Sequence, residues 1–223
     1  MTLTIEPLAT ASGVGNVAAL TFDDGPNGAD TAALLDLLAE LGIRAVFAVI
    51  ASQVEAPGGT DLLRRIVRDG HVLCNHSTSF DDLGELSVDE AEQRMSSASA
   101  TIRAALGDPD AAIPYFRAPN GSWGATPEAA VRLGMQPLAV VNTIGDWQTQ
   151  DEAVLTARLR EAMRPGELVL VHDGGGDRAA SVAAVRTVVR ERRDAGWTFA
   201  LPGRPGSDSF PGPTRAESTR EGT

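Results

Sequence analysis

The chain has 223 residues, 43% hydrophobic and 22% charged, an ordinary globular composition that fits one domain with a sizeable core and excludes a wholly disordered chain. Its formal net charge of −11 repels phosphate backbones and anionic membranes, so no nucleic acid and no membrane is expected as a partner. All 19 basic residues are Arg, which excludes Schiff-base, pyridoxal and Walker-lysine chemistry, and the single cysteine, Cys74, excludes an intrachain disulfide.

Residues 1–15 read as an N-terminal segment. They carry no basic stretch, and Glu6 stands where a signal peptide would be apolar. No apolar run approaches the roughly 18 residues of a membrane span. A cytoplasmic location is the expectation, with a secreted protein lacking its signal peptide as the competing one. From residue 16 the pattern alternates. An apolar run at 18–22 suits a buried strand, and Leu34, Leu35, Leu37, Leu38 and Leu41 then share one helical face, with Gly42 placed to end the helix. A second run at 45–50 is followed by a helical pattern over 60–69, closed by Gly70. A third run at 71–74 precedes Ser87-x-x-Glu90, a capping box that opens a helix running to about Leu106. After the run at 114–117, Thr126-Pro127 reads as an N-cap followed by proline at the first helical position. Runs at 138–142 and 168–172 follow. Val182, Val185, Val188 and Val189 then stripe a helix ending before Gly196, and a last run lies at 197–201. Such alternation predicts βα units and a parallel sheet, closed as a barrel or open and doubly wound. From 203 to 223 the chain is Gly, Pro, Ser, Thr and charge, which predicts a disordered tail and a domain over 16–202.

In parallel α/β folds, sites gather where strands end. Asp23-Asp24-Gly25-Pro26 follows the first strand, Asn75-His76-Ser77 the third and Arg117-Ala118-Pro119-Asn120-Gly121 the fourth. Asp146-Trp147 follows the fifth and His172-Asp173 the sixth. Adjacent carboxylates make a turn, or they divide metal binding from proton transfer. The chain has only three histidines, and two of them fall on this one rim; His71, at the opposite end of its strand, reads as structural. Arg117 is either a surface charge or the partner that orients a carboxylate in two-pronged fashion. Asp146 is either a turn cap or the group that fixes the His172 tautomer and raises its pKa.

Together these segments resemble the polysaccharide deacetylase family, the NodB-homology domains of carbohydrate esterase family 4. TFDDGP at 21–26 is similar to its first motif, Asn75-His76-Ser77 to the start of its HxxxH metal motif, and FRAPNG at 116–121 to its third motif. Asp146-Trp147 and LVLVHD at 168–173 are similar to the fourth and fifth. The resemblance implies a distorted (β/α) barrel of about seven parallel strands, acting on acyl amides or esters through a divalent metal (Zn, Co or Mn). It implies Asp23 as general base positioned by Arg117, Asp24 and His76 as metal ligands, and His172 as general acid tuned by Asp146. The backbone N–H of Asn120 would stabilise the oxyanion, with Trp147 and Leu170 lining the acyl pocket. Two departures stand out. The second metal histidine falls on Phe80, with Asp81, and more remotely Asp82, as substitutes. The aromatic before the glycine of the third motif is Asn120, and aromatics are only 4% of the chain. These departures lead to the expectation of a small intracellular molecule, such as a modified sugar or secondary metabolite, rather than a polysaccharide, with Phe80 beside the substrate. Three readings follow: a metal-dependent acyl hydrolase; an enzyme that keeps Asp23, Arg117, Asp146 and His172 for metal-free elimination, isomerisation or cyclisation; and a binding protein.

Overall fold

The computed structural model describes residues 5–206. Strands β1 (Val17–Gly25), β2 (Val46–Val49), β3 (Val72–Asn75), β4 (Tyr115–Phe116), β5 (Gln136–Pro137), β6 (Glu167–His172) and β7 (Thr198–Phe199) are the staves of the sheet. Helices α1 (Gly28–Leu41), α2 (Ala51–Glu55), α3 (Gly59–Arg68), α4 (Val88–Leu106), α5 (Thr126–Arg132), α6 (Glu152–Ala162) and α7 (Ala179–Asp194) separate them. The strands pair in the order β5-β4-β3-β2-β1-β6, with β7 added to the start of β1, and every pair is parallel. This is the distorted (β/α) barrel that the resemblance implies, where the residue pattern left barrel and doubly wound sheet open.

Period-2 alternation sorts the side chains into two clusters. On β1, Ala18, Leu20 and Phe22 face the helices and pack with Leu34, Leu38 and Val185. Val17 and Ala19 face the other way, into a cluster of Val46, Ala48, Cys74, Tyr115 and Leu168 that holds no helical residue and fills the barrel. Thr21 and Asp23 continue that inward phase, so the sheet geometry itself delivers Asp23 to the mouth of the barrel.

The seam between β5 and β6 departs from the sequence reading. Residues 138–142 do not form the expected strand; regular pairing stops at Pro137. The N-terminal segment takes over. Leu8 donates to Pro137 and its carbonyl accepts from Ala139, while Ala11 donates to Gly166 and Ala9 accepts from Leu168. Residues 8–11 thus lace the two edges together, and the chain beyond Leu138 returns to β6 only through a bridge between Thr143 and Leu170. The boundary drawn at residue 16 therefore cuts through the barrel seam. Single bridges carry no hydrophobic alternation, which is why the sequence pattern did not mark them. At the other end, Gly203 pairs with Thr10 through two hydrogen bonds, so residues 203–206 follow the barrel. The expected disordered tail otherwise lies at 207–223, outside the described residues.

Local signals acted as their chemistry demands. The capping box is present: Ser87 Oγ accepts from the Glu90 N–H, and the Glu90 carboxylate accepts from the Ser87 N–H. The helix after Trp123 begins one residue earlier than the capping signal implied, because the Thr126 hydroxyl donates to the Trp123 carbonyl at 2.5 Å and Thr126 itself becomes helical. Helix α6, which carries little apolar stripe, was not anticipated; Asp151 caps it by accepting from Val154. No helix of the described residues is long and apolar enough to cross a membrane.

His71 sits just before β3, at the end of the barrel opposite the strand-end rim, 6% exposed, where its Nδ1 accepts the Ala45 N–H at 3.2 Å. Burial pushes its pKa down to about 4 from 6.5, with Arg44 and Arg65 adding to the effect and Asp69 opposing it. A histidine kept neutral in the folded state costs stability as pH falls from 6.5 through 4. His71→Asn keeps an acceptor for Ala45 and cannot ionise. Relative to this variant, the wild type is expected to lose up to about 3 kcal/mol on acidification, read from urea unfolding at neutral and acidic pH. Parallel pH dependence of the two proteins would refute the assignment.

Candidate active site

The carboxyl ends of the strands frame a cleft of about 630 Å³. Asp23, Asp24, His76, Phe80, Asn120, Trp147, Leu170 and His172 all line it. Consecutive strand residues should point to opposite faces, yet Asp23 and Asp24 both turn to this cleft. The cause is a register shift in β1 between Asp23 and Gly25, where Asp24 takes a φ of 75°. Aspartate tolerates that left-handed conformation better than most residues. Among the described residues, Ser77 and Asn120 also take positive φ without being glycine, and they follow β3 and β4. Asp24, Ser77 and Asn120 thus put left-handed backbone at three strand ends of this rim, as occurs at sites whose side chains must be held off their relaxed course.

Asp23 is 3% exposed. Its Oδ1 accepts from Arg117 Nη1 at 2.5 Å, and the same nitrogen donates to Thr21 Oγ1 at 2.9 Å. Arg117 has no solvent exposure, and its Nε and Nη2 have no hydrogen-bond partner. One Asp23 oxygen is thereby committed to Arg117, and Oδ2 is left toward His76 Nε2, 3.7 Å away.

The two histidines of the rim have opposite partners. His76 Nδ1 lies 2.8 Å from the Arg117 carbonyl oxygen, which can only accept, so Nδ1 carries the proton. The Nε2 lone pair is then available, and it faces Asp24 Oδ1 at 3.4 Å. A lone pair turned toward carboxylates asks for a cation between them, the arrangement of a metal-ligating imidazole whose other nitrogen is held by a main-chain carbonyl. His172 Nδ1 instead lies 2.7 Å from Asp146 Oδ1. Burial lowers the His172 pKa, but the Asp146 hydrogen bond and the charges of Asp23, Asp146 and Asp24 outweigh it, and the net shift is upward. Burial likewise raises the Asp146 pKa, and its bonds to His172 and Ser181 more than reverse that. His172 is thus set up as an imidazolium.

The donor set for a metal is short. Asp24 and His76 fit a divalent cation in chemistry and direction. Among the described residues, no further His, Cys, Asp or Glu completes a set of three with them. Phe80, on which the resemblance places the second metal histidine, lines the cleft and is 40% exposed. Asp81, the expected substitute, points to solvent, where Ser79 Oγ donates to it at 2.7 Å and Arg94 lies 3.8 Å away. Asp82 is engaged by Asn120 Nδ2 at 2.9 Å, and the same amide donates to the Phe80 carbonyl at 2.9 Å. The Asn120 side chain therefore staples the Phe80 loop, a task an aromatic could not perform. Nearness to Phe80 in the sequence did not bring Asp81 to the site, because residues 77–83 form no strand or helix that would fix where consecutive side chains point.

Three residues that the sequence reading did not select complete the site. Thr21 bridges Arg117 to the Val169 carbonyl; it lies two residues before Asp23, on the same strand face. Ser181 Oγ donates to Asp146 Oδ2 at 2.9 Å. Arg178 lines the cleft while only 5% exposed. Both follow the glycines 174–176, and a basic residue so close to a strand-end glycine run was the available signal.

The polysaccharide deacetylase family profile matches residues 11–138. A chitooligosaccharide deacetylase of Sinorhizobium fredii is 34% identical over 158 residues, 70% of this chain and 71% of that protein. A peptidoglycan-N-acetylglucosamine deacetylase of Bacillus cereus is 26% identical over 82% of this chain and 84% of its own length. Among solved structures, a family 4 acetyl xylan esterase from Clostridium thermocellum in complex with cobalt is 26% identical, with a TM-score of 0.72 over 83% of this chain and 87% of that one. A CE4 family pseudoenzyme from Bacillus anthracis shares the fold at 20% identity, with a TM-score of 0.79 over 92% of this chain and 72% of its own.

Proposed function

The chain belongs to the polysaccharide deacetylase family, and from that premise we propose that it hydrolyses the acetamide of an N-acetylated amino sugar or short oligosaccharide, with Asp23 as general base and His172 as general acid. The observation that carries this reading is the opposite pairing of the two rim histidines. One imidazole is held by a carbonyl, which leaves a lone pair for a cation. The other is held by a carboxylate, which favours a proton to give away.

Asp24 and His76 would hold a divalent cation, Zn²⁺, Co²⁺ or Mn²⁺, whose chemistry when bound is Lewis-acid polarisation of the acyl carbonyl. Asp23 accepts the proton of the attacking water through Oδ2, the oxygen that Arg117 leaves free. His172 delivers a proton from Nε2 to the departing amine, so a neutral amine leaves. The Asn120 N–H faces the developing oxyanion, and Leu170 and Trp147 bound the acyl group. Two of the relatives named above are a chitooligosaccharide deacetylase and a peptidoglycan-N-acetylglucosamine deacetylase, which favours that class over the small intracellular metabolite first expected. Phe80 and Trp147, 40% and 52% exposed, supply two rings on which a sugar face can rest.

A second reading, metal-free acid–base chemistry, is favoured by one observation, the aromatic ring at the third ligand position. Acetate and free amine are measured from N-acetylchitooligosaccharides and peptidoglycan fragments, with wild type and Phe80→His, each in chelator and in metal. Chelator is expected to silence both proteins. Phe80→His is expected to lower the half-saturating metal concentration at least roughly tenfold, seen equally by calorimetric titration of the metal alone. Full wild-type turnover in chelator, with no metal by elemental analysis, selects the second reading. No acetate from any of these substrates overturns the first.

A further inference from the structure

We propose that Arg178 is a positioning residue that binds the two halves of the site together, holding the glycine strip behind Asp24 and the loop that carries Asp146 in one register. The inference rests on the roles given to Asp24 and His172.

A buried guanidinium is costly unless hydrogen bonds compensate the lost hydration. Arg178 Nε donates to the Gly174 carbonyl at 2.7 Å, Nη2 to the Gly175 carbonyl at 3.0 Å and Nη1 to the Asp146 carbonyl at 2.9 Å. A longer bond of 3.4 Å joins Nη1 to the Asp177 carbonyl. Among the described residues, no carboxylate oxygen lies within 4.0 Å of this guanidinium, so its fixed partners are main-chain carbonyls of two separate loops. The backbone is anchored as well: the Arg178 N–H donates to Asp30 Oδ2 at 2.9 Å.

Each loop touches a functional side chain. Gly174 and Gly175 lie against Asp24. A Cβ on Gly174 would meet the Asp24 carbonyl oxygen at 2.0 Å, and one on Gly175 would meet Asp24 Oδ2 at 2.7 Å and Arg178 Nη2 at 3.5 Å. Gly175 is therefore a spacer between the Asp24 carboxylate and the guanidinium, and only glycine is thin enough to serve. On the other side, Asp146 is gripped at both ends. Arg178 holds its carbonyl, and Ser181, one helical turn later, holds its carboxylate, which in turn accepts from the His172 N–H and Nδ1. The rigid fork of arginine meets three carbonyls at once, which the single ammonium of lysine cannot reproduce. Misplacement of reacting groups by about 1 Å costs on the order of 100-fold in rate.

Arg178→Lys keeps the charge and loses the fork, and Arg178→Ala leaves a hole that free guanidinium ion fits. Wild type and both variants are compared by thermal melting, by the downfield imidazole Nδ1 proton resonance of His172, and by kcat and KM for acetamide hydrolysis. The resonance is expected to be present in wild type and broadened or lost in both variants. Millimolar guanidinium is expected to restore it in Arg178→Ala, while an equal concentration of sodium is not. For turnover, kcat is expected to fall roughly 100-fold in Arg178→Lys with KM little changed. The imidazole signal needs no substrate, so it judges Arg178 even if the proposed hydrolysis fails. A lower melting temperature with the resonance and kcat intact overturns the assignment and makes Arg178 a buttress only. If Arg178→Ala does not fold, Arg178→Lys decides by the same two readouts.

Discussion

Asp23→Asn is expected to lower kcat by roughly 10²–10⁴-fold, the contribution of a positioned general base. Asparagine keeps the shape and one acceptor oxygen but cannot take a proton at Oδ2. The same substitution also costs stability. Arg117 is wholly buried, and Asp23 supplies the carboxylate within ion-pairing distance of it, at 2.5 Å. Removing that charge leaves an uncompensated buried guanidinium, with an expected loss of about 3 kcal/mol. From the sequence alone the variant would be judged almost neutral to folding, since nothing there says how deep Arg117 lies. The measurement is therefore kcat per folded molecule, at a temperature where urea unfolding shows the variant intact. Unchanged kcat on the N-acetylated substrate would remove Asp23 from the chemistry.

His172→Ala is expected to reduce kcat by a similar roughly 10²–10⁴-fold, with KM moved far less. Proton donation requires the imidazolium, and the raised pKa of His172 keeps that form as pH climbs past 6.5. The wild-type rate should fall as pH rises through this raised value, and that alkaline limb should be absent in the variant. Stability follows the same sign. The His172 side of the pair contributes fully below the unfolded pKa of 6.5 and is lost as pH rises through the folded value. The Asp146 side contributes above 3.8 and is lost as pH falls through its depressed value. The pair therefore stabilises most between these limits, and His172→Ala should flatten the stability profile across that window. If KM rises while kcat survives, His172 is a substrate contact and the acid lies elsewhere.

Much of this site was legible because its parts sit where the chain's own periodicity ends. Thr21 and Asp23 share a strand face because strand side chains alternate. His76, Asn120, Asp146 and His172 each follow a strand or strand-like run, and a parallel sheet brings such ends to one rim whatever its curvature. The capping box of Ser87 and Glu90 acts within four residues, so it reads correctly without any neighbour. What failed had no local cause. Asp81 was taken for a substitute ligand on nearness in sequence, but one residue along an irregular loop turned it to solvent and to Arg94. The seam at 138–142 reads as a strand by composition, yet the segment at 8–11 occupies the edge with which it would have paired.

By itself the sequence determined most of the units: all but one of the strand runs, the apolar faces of most helices, and which ionisable residues stand at the carboxyl ends of the strands. Tertiary structure decided the couplings. It buried Arg117 against Asp23, turned Asp24 onto the same side as Asp23 through a shifted register, and gave His76 a carbonyl and His172 a carboxylate. It also set Arg178 between loops that the chain separates by about 30 residues. Alternation and capping are energies of neighbours along the chain and can be read in order. The tautomer of an imidazole or the cost of a buried guanidinium depends on groups brought within a few ångströms by folding, and on the water that folding removes.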